Sequence, residues 1–396
     1  MTEISGFELF ATDLPFRVAF KHSAAARTGS ESLFLRCRLA DGTEGWGESL
    51  PREYVTGESR DAAFERLAGT ILPALVGRSF ADLSAVEAFL AGCDGRAPRE
   101  LVDPATPQTA AWCAVDLALL DSFGRAEGAR PLAGESQHLP AGLRYSGVLS
   151  AETGWKKSLL LLLHRLLGFR AIKLKVGPET GAREIRRIRR WLGRGIELRA
   201  DANMGWSFEQ ARTRMPEMAR AGVVSFEEPI AADDLDGMSR LVAETGLELM
   251  ADESFSTRES LDELVARRAA TAVNARISKC GGLVATLARC REARAAGLVV
   301  QVGCQVGESS LLSAAHLRLT AAVGEVRFAE GCFGTLLLDE DPGRPEVRFH
   351  RGGRAPGSPG GPGLGVAIDR DCVARHSSRS LAIGRPDGSA AERGAA

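Results

Sequence analysis

Charged or polar residues recur in this chain at the ends of short apolar runs, with nearly constant spacing. Lys175, Asp201, Glu227, Asp252, Lys279, Cys304 and Phe328 stand about 24 to 27 residues apart. One strand, one helix and two short loops fill such a period. Eight strands are expected, near Arg144, Ala171, Leu198, Val224, Leu249, Val273, Val300 and Val326. Eight βα units in a row point to an α/β fold of the (β/α)8 type, a TIM-like barrel. A doubly wound open sheet also alternates, but it carries a glycine-rich phosphate turn after its first strand. The sequence has neither Gly-x-Gly-x-x-Gly at that place nor a Walker A motif.

The region before the barrel has a different pattern. Glu31 to Leu39 alternates polar and apolar residues as a strand does, Asp41-Gly42 marks a turn, and Thr43 to Ser49 returns as the partner strand. Ala62 to Ala88 and Pro107 to Phe123 have helical spacing of apolar residues. Residues 1–130 therefore read as an N-terminal α+β domain and residues 131–350 as the barrel. Arg351 to Gly365 is too rich in Gly and Pro for a helix or a central strand. It opens an extended segment, 351–380, with a short strand near Val366 to Asp369. The small, polar residues 381–396 read as a mobile tail.

Composition excludes several classes of function. Fifty Lys and Arg face 51 Asp and Glu, a net charge of −1. That leaves no broad electrostatic footprint for nucleic acid or an anionic membrane. The densest apolar run, Leu159 to Leu163, ends at His164 and Arg165, far short of the ~20 residues that span a bilayer. It reads as a buried helix of the first barrel unit or as part of an interface. Met1 to Leu9 lacks the basic start and apolar stretch of a signal peptide. The eight Cys form no Cys-x-x-Cys pair, so reduced thiols in a cytoplasmic protein are expected.

The strand ends carry the chemistry, because catalytic residues of such barrels sit there. Strand two ends Lys173-Leu174-Lys175, and a spacing of two places both ammonium groups on one face. Burial and mutual repulsion are expected to lower their pKa and suit one of them to act as a base. The alternative is an edge strand with solvated lysines. Strands three, four and five end Asp201-Ala202-Asn203, Glu227-Glu228 and Asp252-Glu253. Converging carboxylates need a cation, and an all-oxygen set without Cys or His selects Mg²⁺ or Mn²⁺ over zinc. Each acid taken alone could instead cap a helix. Strand six ends Arg276-Ile277-Ser278-Lys279, which places Lys279 across the barrel from Lys175. Glu308 and Ser309 read as caps of the helix that follows strand seven. Gln305 and Glu330 are candidates for substrate contact in the barrel mouth.

Taken together, Lys173-x-Lys175, Asp201-x-Asn203, Glu227-Glu228-Pro229, Asp252-Glu253-Ser254 and Lys279-Cys280-Gly281-Gly282 resemble the enolase superfamily, in its subgroup of muconate-lactonizing enzymes. The resemblance implies Asp201, Glu227 and Asp252 as ligands of Mg²⁺ or Mn²⁺ and Lys175 and Lys279 as the acid/base pair. It implies that Lys173 depresses the Lys175 pKa and contacts the substrate carboxylate, with Asn203 and Glu253 as nearby partners. Residues 1–130 become a capping domain onto which segment 351–380 packs. Two cap loops, His22 to Ser30 and Leu50 to Glu58, would set specificity, with Arg27 or Arg52 meeting a distal carboxylate.

The implied activity is that of a metal-dependent isomerase removing the α-proton of a small carboxylate, as a cycloisomerase or as an epimerase or racemase. An o-succinylbenzoate synthase-like dehydratase, a Schiff-base lyase and a non-catalytic barrel are the alternatives. Relatives suggest a homo-oligomer. Phe333-Gly334-Thr335 resembles cycloisomerases, but Gly331 replaces the acid expected two positions before the Phe. Phe20-Lys21-His22 with Arg27-Thr28 resembles dipeptide epimerases, but Phe328-Ala329-Glu330-Gly331 lacks their Asp-x-Asp for the substrate ammonium. An N-blocked amino acid would not need that acidic pair.

Overall fold

The computed structural model describes residues 1–21, 26–149 and 155–384. Strand Thr2–Thr12 is the spine of an antiparallel sheet, paired on one side with Ser32–Leu39 and on the other with Ser377–Gly384. Glu44–Ser49 completes it as the hairpin partner of Ser32–Leu39. Helix Thr109–Ala126 is buried on nearly every side, as expected of an element apolar all round. It packs directly on Glu44–Ser49. Gly47 permits this approach, since any side chain there would overlap the Ala114 carbonyl.

The long helix expected over Ala62 to Ala88 is broken. Helix Arg60–Arg66 runs through a π turn at Leu67–Ile71 into Leu72–Leu75, and the chain then extends. Gly77 takes the left-handed conformation, Ser79–Phe80 pairs with the spine strand, and Asp82 caps a new helix, Leu83–Cys93. Apolar periodicity ran on through the break, so local punctuation by Gly77 and Asp82 was the overriding signal.

Seven parallel strands follow in chain order and curl into a barrel. They are Gly147–Leu149, Ala171–Lys175, Glu197–Asp201, Val223–Glu227, Leu249–Ala251, Ala272–Ala275 and Val299–Val302. The eighth is reduced to Ala329, which bridges Tyr145 on one side and Val302 on the other and so closes the ring. The Ser146 amide donates to the Ala329 carbonyl (2.8 Å) and the Glu330 amide to the Val302 carbonyl (3.0 Å). Gly331, with φ at 133°, ends the strand before it lengthens.

Two readings of the sequence are corrected outside the barrel sheet. Only Leu161 of the run Leu159 to Leu163 is deeply buried, while Leu159 and Leu163 are 56% and 45% exposed. A buried first-barrel helix is therefore not what forms. Residues 381–384, expected in a mobile tail, belong to the strand that joins the N-terminal sheet. Residues 385–396 lie outside the described residues. Within the Gly- and Pro-rich segment, Arg351–Gly353 makes a single 3-10 turn, and Ala367–Ile368 pairs with Gly343–Arg344. Among the described residues no helix is long and apolar enough to cross a membrane.

The N-terminal sheet is fastened to the barrel by a buried acid. Glu48 accepts hydrogen bonds from the Ser309 amide (2.9 Å), the Ser309 hydroxyl (2.6 Å) and the Leu312 amide (3.2 Å). These donors lie at the start of helix Ser310–Val323. Burial pushes the Glu48 carboxyl up to about 8 despite those bonds. Between the ordinary value of 4.5 and 8, the folded chain holds a proton that the unfolded chain has released. The contribution of Glu48 to stability is therefore present below pH ~4.5 and lost as pH rises towards ~8. Denaturation midpoints of the wild type and Glu48→Gln, measured at pH 5 and pH 8.5, should show a shallower fall for the variant. An equal fall would exclude Glu48 as a contributor.

Candidate active site

Parallel register aligns the functional side chains. Lys175 pairs with Asp201 across strands two and three, and Asp201 with Glu227 across strands three and four. Asp252 follows strand five, and Lys279 lies beyond strand six. The carboxylates thus come from three successive strands, with a lysine from the next strand on either side. All three acids are at most 2% exposed.

Cations bridge the carboxylates. Lys173 Nζ lies 3.1 Å from Glu227 Oε1, 3.3 Å from Asp201 Oδ2 and 2.8 Å from Glu330 Oε2. Arg276 pairs with Asp252 and stands 3.7 Å from Glu227. Burial alone would raise the Asp201 pKa, but Lys175, Lys173 and Arg276 hold it well below the usual carboxylate range. The expected lowering of Lys173 does not occur. Burial opposes its charge, yet Glu227, Glu330 and Asp201 outweigh burial and push its pKa up. Lys173 is thus held as a cation among three carboxylates.

The two flanking lysines differ. Lys175 Nζ donates to Asn203 Oδ1 (2.7 Å) and lies 3.5 Å from Asp201 Oδ2. Lys279 is fully buried and donates to Asp252 Oδ1 and the Asn274 carbonyl, both at 2.8 Å, and to the Asp252 carbonyl. Burial, with Arg276 adding repulsion, brings its pKa down to about 8, against the pull of nearby acids. Such a lysine can exchange a proton near neutral pH. Lys175 lines the cavity at the strand ends, while Lys279 lies outside its wall.

Neighbouring acids shape the site. Glu228 accepts from the Asp252 amide (2.6 Å) and the Ser254 hydroxyl (3.0 Å), which fixes the end of strand five. Burial raises Glu228 to about 7. Burial, and then Glu228 and Asp201, raise Glu253 to about 8. Glu253 Oε1 accepts from Asn203 Nδ2 at 3.4 Å, whereas its Oε2 is buried without a partner among the described residues. An all-carboxylate set with a spare buried oxygen beside it suits a hard divalent cation.

The predicted arginines serve other ends. Arg52 is 3% exposed, and its guanidinium donates to the carbonyls of Glu31 (3.1 Å), Pro51 (2.9 Å), Val306 (3.5 Å) and Ser30. It ties the cap to the strand-seven loop, leaving no free fork for a distal carboxylate. Arg27 pairs with Glu31 and does not line the cavity. His22 to Ala25 of the first expected cap loop lie outside the described residues. Gln305 and Glu330 do line the cavity. Ser309 caps the next helix as expected, but Glu308 turns back to accept from the Gln305 amide (2.7 Å).

Two site arginines went unassigned in the sequence. Arg276 was in view at the end of strand six, three residues before Lys279. Arg199 lies two residues before Asp201, a spacing that puts it on the same strand face. It is 1% exposed and bonds Glu330, Gln301 and the Ser146 hydroxyl (3.0 Å) across the barrel.

Comparison with known proteins agrees with this architecture. Residues 162–372 match the family described as enolase C-terminal domain-like. The chain is 25% identical over 381 residues to the N-succinyl-L-Arg/Lys racemase of Bacillus cereus, covering 94% of this chain and 97% of that one. The crystal structure of that racemase superposes with a TM-score of 0.82 over 96% of this chain and 99% of the other, at 25% identity. An L-Ala-D/L-Glu epimerase of Bacillus subtilis is 28% identical, covering 89% of this chain and 93% of its own. A chloromuconate cycloisomerase of Cupriavidus pinatubonensis is 28% identical, covering 93% and 97%. The relatives named here are a racemase, an epimerase and a cycloisomerase, and the chain itself belongs to the enolase superfamily.

Proposed function

We propose that the protein removes the α-proton of a small carboxylate substrate and returns a proton to give an epimer or isomer. The observation that carries this reading is the row of three buried carboxylates on successive strands, flanked on both sides by lysines. Asp201, Glu227 and Asp252 would hold a divalent cation, Mg²⁺ or Mn²⁺. When bound, that cation neutralises negative charge on the substrate carboxylate.

This chain's own groups do the rest. Lys279, with its lowered pKa, exchanges a proton on one face of the α-carbon once its ammonium turns from Asp252 into the cavity, and Lys175 serves the other face. Asn203 holds the Lys175 ammonium in place, and Glu253 orients Asn203. Lys173 and Arg276 face the cavity as cations and stabilise the charge that develops on the substrate oxygens. The N-terminal domain, residues 1–130, caps the cavity through Arg52 and Tyr54.

Incubating the protein with Mg²⁺ in D₂O and pooled N-acyl amino acids, dipeptides and muconates tests this reading. Metal-dependent α-deuteration of one component, seen by NMR, is the expected result. Glu227→Gln should weaken divalent-metal binding at least ~10-fold by calorimetry. Silence across the pool in a protein that binds no divalent metal would overturn the assignment.

A further inference from the structure

Outside the cavity at the strand ends, three side chains of mixed chemistry converge. Cys372 lies in helix Arg370–Arg375, and His376 is the C-cap of that helix. A spacing of four sets the two on one helix face. Glu340 follows Leu338, which bridges Phe16. An oxygen of Glu340, the Cys372 sulfur and a ring nitrogen of His376 all lie within 4.8 Å of one another. His376 Nε2 stands 3.0 Å from Glu340 Oε2, while Arg375 holds the other oxygen, Oε1, at 2.8 Å.

The donor set selects the ion. Ligands of a tetrahedral Zn²⁺ lie ~2.0–2.3 Å from it, and so about 3.3–3.8 Å from one another. The three atoms need to close by no more than about 1 Å to reach that geometry. A thiolate with an imidazole suits Zn²⁺ and disfavours Mg²⁺, the reverse of the all-oxygen row of Asp201, Glu227 and Asp252. Three protein ligands leave the fourth position to water. Cys372 is fully buried, whereas the Glu340 and His376 side chains are 39% and 25% exposed, so an ion reaches the thiol by way of the carboxylate and the imidazole. The hydrogen bond from His376, with Arg375 adding to it, holds the Glu340 carboxyl below its usual range and so keeps it anionic. Burial, and then Glu340, push the Cys372 thiol up to about 12, so it carries its proton until a cation displaces it.

We propose that Glu340, Cys372 and His376 form a second metal site, which takes Zn²⁺ with one water and is separate from the carboxylate row. On binding, the Cys372 proton passes to solvent, and the sulfur, the imidazole nitrogen and the carboxylate oxygen each give an electron pair to the ion. Arg375 keeps Oε1. The position of the site gives it a structural use. The His376 carbonyl accepts from the Asp13 amide (2.9 Å), and the Asp339 amide donates to the Pro15 carbonyl (2.8 Å). The ion thereby ties helix Arg370–Arg375 to the loop after strand eight, where both meet the start of strand Pro15–Lys21. That strand leads into the first cap loop.

The probe is Co²⁺, which stands in for Zn²⁺ and reports a sulfur ligand by a thiolate-to-metal charge-transfer band in the near ultraviolet. The reduced full chain, stripped of metal and then given a large excess of Mg²⁺ to hold the oxygen ligands, is titrated with Co²⁺ and afterwards with Zn²⁺. The wild type should gain the band with a single equivalent of Co²⁺, and Zn²⁺ should abolish it. Cys372→Ser should lose the band. His376→Ala should weaken Co²⁺ binding at least ~10-fold. Because His376 is partly exposed, that second variant keeps the test readable if the buried Cys372→Ser change prevents folding. Absence of the band in the wild type would overturn the inference. So would its persistence in Cys372→Ser, which would assign it to another of the eight thiols, or an unchanged Co²⁺ affinity in His376→Ala. None of these outcomes touches the proton-abstraction reading, since none of the three residues lines the cavity.

Discussion

Lys279→Ala is expected to lower turnover by about 10²- to 10⁴-fold while leaving divalent-metal binding intact. Lys279 is fully buried, and burial holds its pKa down at about 8, so it can exchange a proton at working pH. Removing it does not strand Asp252, which keeps Arg276 as a partner. The fold and the metal ligands should therefore survive. The loss should also be one-sided. Lys175 remains on the opposite flank of the carboxylate row, so exchange of the α-proton should persist for one enantiomer and vanish for the other. Steady-state kinetics, calorimetric metal titration and NMR exchange on the separate enantiomers check the three parts. Unchanged turnover would remove Lys279 from the mechanism, and loss of exchange for both enantiomers would count against two opposed bases.

Arg199→Met is expected to cost about 3–5 kcal/mol of stability, read from guanidinium denaturation. Arg199 and Glu330 are 1% and 2% exposed, and Arg199 shares with Lys173 the compensation of the Glu330 charge. Arg199 also bonds Ser146 on the first-strand side and Gln301 on strand seven, drawing together the edges where Ala329 closes the barrel. Without it Glu330 keeps Lys173 as its ion-pair partner among the described residues. Adding Glu330→Gln to Arg199→Met should recover part of the loss, because Lys173 still has Glu227 and Asp201. A cost below about 1 kcal/mol for Arg199→Met would show that the buried pair matters little to folding.

The barrel was legible because each βα unit repeats one register. Strand ends came at a fixed interval, and polar residues after apolar runs stood out at Lys175, Asp201, Glu227, Asp252 and Lys279. The hairpin of Ser32–Leu39 with Glu44–Ser49 was legible through alternation and an Asp-Gly turn. The break after Leu75 was not, because apolar spacing continued through residues whose backbone departs from a helix. The exposed leucines near Leu159 misled for a related reason. Hydrophobicity marks what could be buried, and tertiary packing decides what is.

The order of the elements and the chemical groups at the strand ends can be read from the sequence. Both are local properties, set by periodicities of two and 3.6 residues and by turn chemistry. How those groups behave depends on the neighbours that folding brings to them. Lys173 was expected to be a weakened cation beside Lys175. Three carboxylates from three other strands make it a strengthened one. Arg52 was expected to await a ligand, but carbonyls from the cap and the strand-seven loop already occupy it. Gln305 was one polar residue among many until folding buried its amide with no partner among the described residues. A side chain's charge and free hydrogen-bonding capacity depend on burial and on neighbours distant in the chain, which no local pattern encodes.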